Sequence, residues 1–171
     1  MKKIMTLVAA LCLAVTAFAQ NAKELYNKYS DLNGVSAVYV SPAMFRMIGK
    51  LPDVDMENSK GEKVNLTPII NTLSGFYLLD VEENSSAAVQ LQADVKKLLD
   101  GKKFELLFEA KENGETTRLF TSGDGKKVNS LVLITRDGED FTFMSLEGNM
   151  NREQLENILA ESAKEPFLLR R

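Results

Sequence analysis

The apolar and polar positions follow a helical period at the start of the chain and a period of two later on. Residues 21–30 put Leu25, Tyr26 and Tyr29 on one side of a helical pattern, which predicts a short amphipathic helix. Val35 to Val40 ("VSAVYV") is β-branched and alternating, the pattern of a strand. Ser41-Pro42 then reads as a helix start, with Ser41 as cap and Pro42 at the first helical position. Met44, Phe45, Met47 and Ile48 supply the apolar side of that helix. Leu51 to Lys63 is polar, carries Pro52 and Gly61, and reads as a loop. A second short helix is expected over Asn65 to Leu73, and Gly75 to Val81 has the apolar run of a buried strand. Ser85 or Ser86 begins the clearest helix, which carries Val89, Leu91, Val95, Leu98 and Leu99 and stops at Gly101.

Beyond Gly101 the period is two. Phe104 to Ala110 is a strand, and Asn113-Gly114 is the centre of a two-residue hairpin turn, because both positions need positive φ. Pairing outward sets Glu109 opposite Arg118 and Phe108 opposite Leu119. Strict alternation then puts Phe104, Leu106, Phe108 and Ala110 on one side. Glu105, Glu109 and Arg118 take the other side, with Leu107 and Phe120 beside them. Asp137-Gly138 repeats the logic, setting Arg136 against Glu139, Ile134 against Phe141 and Val132 against Phe143. Ser122-Gly123-Asp124-Gly125 joins the two hairpins into a four-stranded meander over about residues 103–147. The last strand is expected to stop at Gly148, and a helix to run from Asn151 to about Ala163, capped by Asn151 with Gln154 closing a capping box. The strand–helix–strand step from Gly75 to Ala110 implies a parallel crossover. The predicted class is therefore α+β: a mixed sheet with a C-terminal four-stranded antiparallel meander and helices mainly on one face.

The first nineteen residues change the picture of the whole. Lys2 and Lys3 precede an apolar run from Ile4 to Val15, and Ala17-Phe18-Ala19 supplies a small-x-small cleavage pattern before Gln20. This reads as a secretory signal peptide, too short for a membrane span. Cys12 suits a lipoprotein anchor poorly, since Leu11 stands where a small residue is expected. A single domain is expected over residues 20–171, exported to the periplasm or cell surface after cleavage near Ala19-Gln20. Losing Lys2 and Lys3 and no acid takes the net charge from −3 to −5. That acidity argues against nucleic acid as a partner, and no later segment reaches membrane-spanning length. Cys12 goes with the signal, so the domain is held by its core and not by a disulfide.

The chain has no histidine and no tryptophan. Zinc, copper and non-haem iron sites rely on histidine or cysteine, and Ser-His-Asp and Cys-His catalysis need the missing imidazole. No cofactor is expected, and only carboxylates, Lys, Tyr, Ser/Thr and Arg remain for chemistry. Asp53, Asp55 and Glu57 alternate in "PDVDMENSKGE" and form a candidate calcium cluster, but Asn58 and Val64 stand where an EF-hand needs glycine and glutamate. A solvated loop is the plainer reading. "TSGDGKK" would need a helix after it to be a phosphate loop, and a strand follows. "EGNMNREQ" sits at a strand-to-helix step of the kind that can hold phosphate, yet its own cap takes up the helix-start N–H groups. Leu107, Glu109, Arg118 and Phe120 are the candidate binding residues, as an apolar and charged patch on the outer face of the meander. The alternative is that the tail "EPFLLRR" covers that face.

The signal peptide, "VSAVYVSPAMFRMIGK" (Val35 to Lys50) and the C-terminal "FTFMSLEGNMNREQLENIL" together resemble a family of small exported proteins of unknown function common in Bacteroides-type bacteria. The resemblance implies an exported bacterial protein and no reaction or catalytic residue. The expected function is a non-enzymatic binding or regulatory module of the cell envelope, with another envelope protein as partner. The alternatives are a carboxylate-dependent hydrolase, for which close acid pairs exist but no tryptophan platform for a sugar, and a calcium-dependent adhesin module.

Overall fold

The computed structural model describes residues 21–50, 55–57, 63–81, 85–101 and 104–162. Helix α1 (Ala22–Tyr29) starts where Asn21 Oδ1 accepts the Glu24 N–H at 3.0 Å, satisfying one of the donors that a helix start leaves without a partner. Strand β1 (Val35–Val40) follows, and the Ser41 hydroxyl caps α2 (Pro42–Ile48) through the Met44 N–H. Strands β2 (Asp55–Glu57) and β3 (Lys63–Asn65) form a small antiparallel ladder where a loop was expected over Leu51 to Lys63 and a helix from Asn65. Three residues per strand are too few to show a period. Helix α3 (Thr67–Ile70) is a single turn, shorter than expected, because β4 (Leu73–Val81) takes up its ladder from Leu73. Then come α4 (Ser85–Gly101), β5 (Phe104–Glu112), β6 (Glu115–Gly123), β7 (Lys127–Asp137), β8 (Asp140–Asn151) and α5 (Arg152–Ser162).

The main sheet has six strands in the order β1-β4-β8-β7-β6-β5. The α+β class and the four-stranded meander are as the sequence implies. The sheet is not mixed, however: every neighbouring pair is antiparallel. β4 and β5 do run the same way, but β8, β7 and β6 lie between them, so α4 crosses the sheet without creating a parallel ladder. What decides this is the pairing of β8 with β4 from Val81↔Phe141 to Leu73↔Gly148, a contact between distant segments.

Local turn chemistry sets the meander's registers. Asn113 and Gly114 both have positive φ (49° and 97°), and Glu109 meets Arg118 and Phe108 meets Leu119 as expected. Two residues further down, Leu106 meets Phe120, so Leu107 is the extra residue of a β-bulge. In the second hairpin Gly138 has φ 56° and Asp137↔Asp140 closes the turn. The central pair is therefore Gly138-Glu139, in the arrangement with glycine first. Ile134 meets Phe143 and Val132 meets Ser145, a shift of two residues from the expected partners that leaves every side chain on its expected face. β8 does not stop at Gly148. It runs on to Asn151, with Met150 opposite Val128. A Cβ on Gly148 would stand 2.5 Å from the Thr72 carbonyl oxygen, so glycine is needed there for a close approach of two chain segments and not for a turn.

The two faces of the sheet are covered differently. Leu79 and Val81 of β4, Phe141 and Phe143 of β8 and Val132 of β7 bury against Leu25 and Tyr29 of α1 and Leu91, Val95 and Leu98 of α4. Each such side chain contributes roughly 1.5–3 kcal/mol by leaving water. This is the main core, with α1 and α4 on its face; the helices are not mainly one-sided, because the other face carries two as well. A smaller core (Ile69, Val128, Met150 and Leu155, with Leu73, Leu131 and Leu146 against it) seats α3 and α5 at one end of the opposite face. Asp94 ties α1 to α4. Its buried carboxylate accepts from Lys28 Nζ at 2.5 Å, Lys97 Nζ at 2.9 Å and Tyr29 Oη at 2.9 Å. Burial pushes this carboxyl up, but the bonds from Lys28, Lys97 and Tyr29 outweigh it and hold the group well below the usual carboxylate range.

Candidate functional site: a groove between helix α4 and the meander

Helix α4 turns Leu91, Val95 and Leu98 into the core. Beside its outer flank the sheet surface formed by β6, β7 and β8 stays open as a groove. Phe120 and Ile134 form its floor and Leu99 its wall, with the buried Phe141 and Val95 behind them, and its volume is about 520 Å³. Towards the β7–β8 turn it continues past Ala88 and Gln92 to Arg136 and Gly138, in a further hollow of about 220 Å³. Val89, on the lip between the two, is 64% exposed. Leu106 pairs with Phe120 and so faces the same side, itself 49% exposed.

The rim is charged and internally paired. Lys96 bonds Asp100, Arg118 Nε donates to Glu109 Oε2 at 2.5 Å, and Lys111 Nζ lies 3.0 Å from Glu109 Oε1. The Arg118 hydrogen bond, with that of Lys111 second, holds the Glu109 carboxyl below the usual carboxylate range. An apolar floor of this size gains about 25 cal/mol for each Å² it removes from water, while a few polar groups at the edge fix orientation. Such an arrangement suits an apolar chain or side chain whose polar end exchanges with one of the rim pairs.

Of the candidate binding residues, the structure puts Arg118 and Phe120 in the groove and Glu109 on its rim. Leu107 is elsewhere. The bulge turns it to the opposite face, where it lines a smaller hollow with Thr121, Val128 and Leu155. The same bulge separates Glu105, which pairs with Thr121, from Glu109. Phe120 packs partly against the main core and is not the exposed residue that alternation implied. Asp55 and Glu57 lie in β2, and Asp53 is outside the described residues. Among the described residues no group of three or more carboxylates is arranged to hold a metal. Val95, Leu99 and Ile134 were legible only as core positions, since nothing local marks the edge at which α4 leaves the sheet open.

The two phosphate-like turns are occupied by their own side chains. Asp124 Oδ1 accepts the Lys126 and Lys127 N–H groups at 2.8 and 2.7 Å, and these bonds hold its carboxyl low. Asn151 Oδ1 accepts the Gln154 N–H at 3.1 Å, which is the cap bond of the expected capping box.

A family model described as a domain of unknown function, DUF4252, matches residues 29–158. The chain belongs to the DUF4252 family. The DUF4252 match takes in all eight strands, α4 and every groove residue named above. No curated protein matches the chain. No described helix is long and apolar enough to cross a membrane.

Proposed function

We propose that this DUF4252 chain is an exported, non-enzymatic binding or regulatory module of a Bacteroides-type cell envelope, and that its ligand lies in the groove beside α4. The groove carries the reading: an apolar floor of Phe120 and Ile134 beneath a rim of paired charges. The charge state of the rim carboxylate supports the same reading. At the groove itself, Arg118 and Lys111 hold the Glu109 carboxyl below the usual carboxylate range, which suits an ion-paired rim and not a proton donor near neutral pH. Export rests on Lys2-Lys3, the Ile4–Val15 run and Ala17-Phe18-Ala19.

The test is a titration of the mature chain with 1-anilinonaphthalene-8-sulfonate, an apolar probe with one anionic group. One saturable site is expected, weakened at least tenfold by Ile134→Lys, with circular dichroism showing the fold retained. Equal binding by the folded variant would place the probe elsewhere and defeat the groove assignment. Intact mass of the protein from an envelope extract checks export, with a chain beginning at Gln20 expected. A chain still carrying residues 1–19 would refute it.

A further inference from the structure

The sheet face opposite α4 carries a second, separate surface. Following the ladders across the six strands, Val38 pairs with Leu78, Leu78 with Met144, Met144 with Leu133, Leu133 with Leu119, and Leu119 with Phe108. Every strand thus contributes one apolar side chain to one unbroken row, about 24 Å long at ~4.8 Å per strand. None of the six belongs to either core, and Val38 and Phe108 at its ends are 47% and 42% exposed. The row next to it, away from α5, is polar: Ser36, Asp80, Thr142, Thr135 and Thr117, with Ala110 at its end. One step further, at the hairpin-turn end, the same alternation brings Glu112, Glu115, Asp137 and Asp140 to this face. On the other side the next row is Val40, Phe76, Leu146, Leu131 and Thr121, of which Leu146 and Leu131 pack on the small core under α5.

With Val40 and Phe76 beside one end, the uncovered apolar strip is one to two rows wide, at most roughly 350 Å², and a stable dimer interface needs ~800 Å² from each partner. The strip fits one extended segment that is apolar first and cationic after. The chain's own sequence supplies such a segment. After α5, which seats Leu155 on this face, the sequence continues with Phe167-Leu168-Leu169 and then Arg170-Arg171. The nine residues from Ala163 to Arg171 span up to about 30 Å. From the Leu131–Leu146 pair at the α5 end to the Asp137–Asp140 pair at the turn end is only about 20 Å along the strands.

We propose that this face is the docking site of the chain's own C-terminal segment, with Phe167 to Leu169 on the apolar row and Arg170-Arg171 against the carboxylates at the turn end. Tethering makes even a weak contact effective, because the segment is presented at millimolar local concentration.

The test compares residues 20–171 with residues 20–163, using a fluorescein-labelled peptide of residues 164–171 as probe. The shortened chain should bind the peptide saturably, at least tenfold more tightly than the full chain does, and more weakly as salt rises. Phe108→Ser, at an exposed edge position, and Asp137→Lys should each weaken binding to the shortened chain, with circular dichroism confirming the fold. Arg170→Glu with Arg171→Glu in the full chain should restore peptide binding. Equal binding to both chains, or to neither, overturns the proposal. So does a full-length dimer that Phe108→Ser dissociates, because a second copy would then occupy the face.

Discussion

Replacing Asp94 with asparagine keeps the shape of the side chain between α1 and α4 and removes its charge. The carboxylate is 6% exposed and accepts three hydrogen bonds, two of them from ammonium groups. Hydrogen bonds between charged groups contribute about 1.5–3 kcal/mol and neutral ones about 1, so asparagine forfeits something near 1 kcal/mol per lysine. The lysine side chains are 54% and 69% exposed and stay hydrated when unpaired, which keeps the total near 2 kcal/mol. Alanine also strips the buried Tyr29 hydroxyl of its acceptor and should cost about 2 kcal/mol more. At roughly 2–4 °C per kcal/mol for a domain of this size, Asp94→Asn should lower Tm by about 4–8 °C at pH 7. The pH dependence follows from the depressed folded-state pKa. Below its unfolded value of about 3.9 the carboxyl takes up a proton more readily unfolded than folded. Its contribution is therefore fully present above about pH 5 and fades as pH falls through 4 towards the folded value. Melting curves followed by circular dichroism from pH 7 to pH 3 should show the gap between wild type and Asp94→Asn narrowing at the acid end. A gap that stays constant down to pH 3, or no gap at pH 7, would refute the reasoning.

Gly148→Ala should lower stability by about 1–3 kcal/mol, because its Cβ would meet the Thr72 carbonyl oxygen at 2.5 Å and the Leu73 Cα at 3.1 Å, both backbone. The Asn149 amide, which donates to that same carbonyl at 3.0 Å, should then exchange its hydrogen faster in native-state exchange. Asn151→Ala removes the acceptor of the Gln154 N–H at the start of α5 and should cost about 1 kcal/mol in denaturant unfolding, with Asn151→Asp near neutral.

Short-range physics was legible along the chain. The Asn113-Gly114 turn, the Ser41-Pro42 and Asn151 helix starts, the span of α4 and the Glu109–Arg118 pair all follow from residues a few positions apart, and the structure has them as read. A bulge at Leu107 and a turn centred on Gly138-Glu139 were not legible, since one extra residue in a strand leaves the composition unchanged while reversing the face of what comes before it. Leu107 and Phe120 were expected side by side, and the bulge put them on opposite faces. The groove was less legible still. Phe120, Ile134 and Phe141 come from three strands, and Val95 and Leu99 from a helix that reads as core throughout. Whether those side chains are covered or open depends on how far α4 reaches across the sheet. That reach is fixed by β8 lying between β4 and β7, a pairing of segments some sixty residues apart. Hydrophobic periodicity tells each strand which face to bury, but strand order depends on which distant ladders bury the most surface together. Only the folded sheet settles that order, and with it the position of the groove.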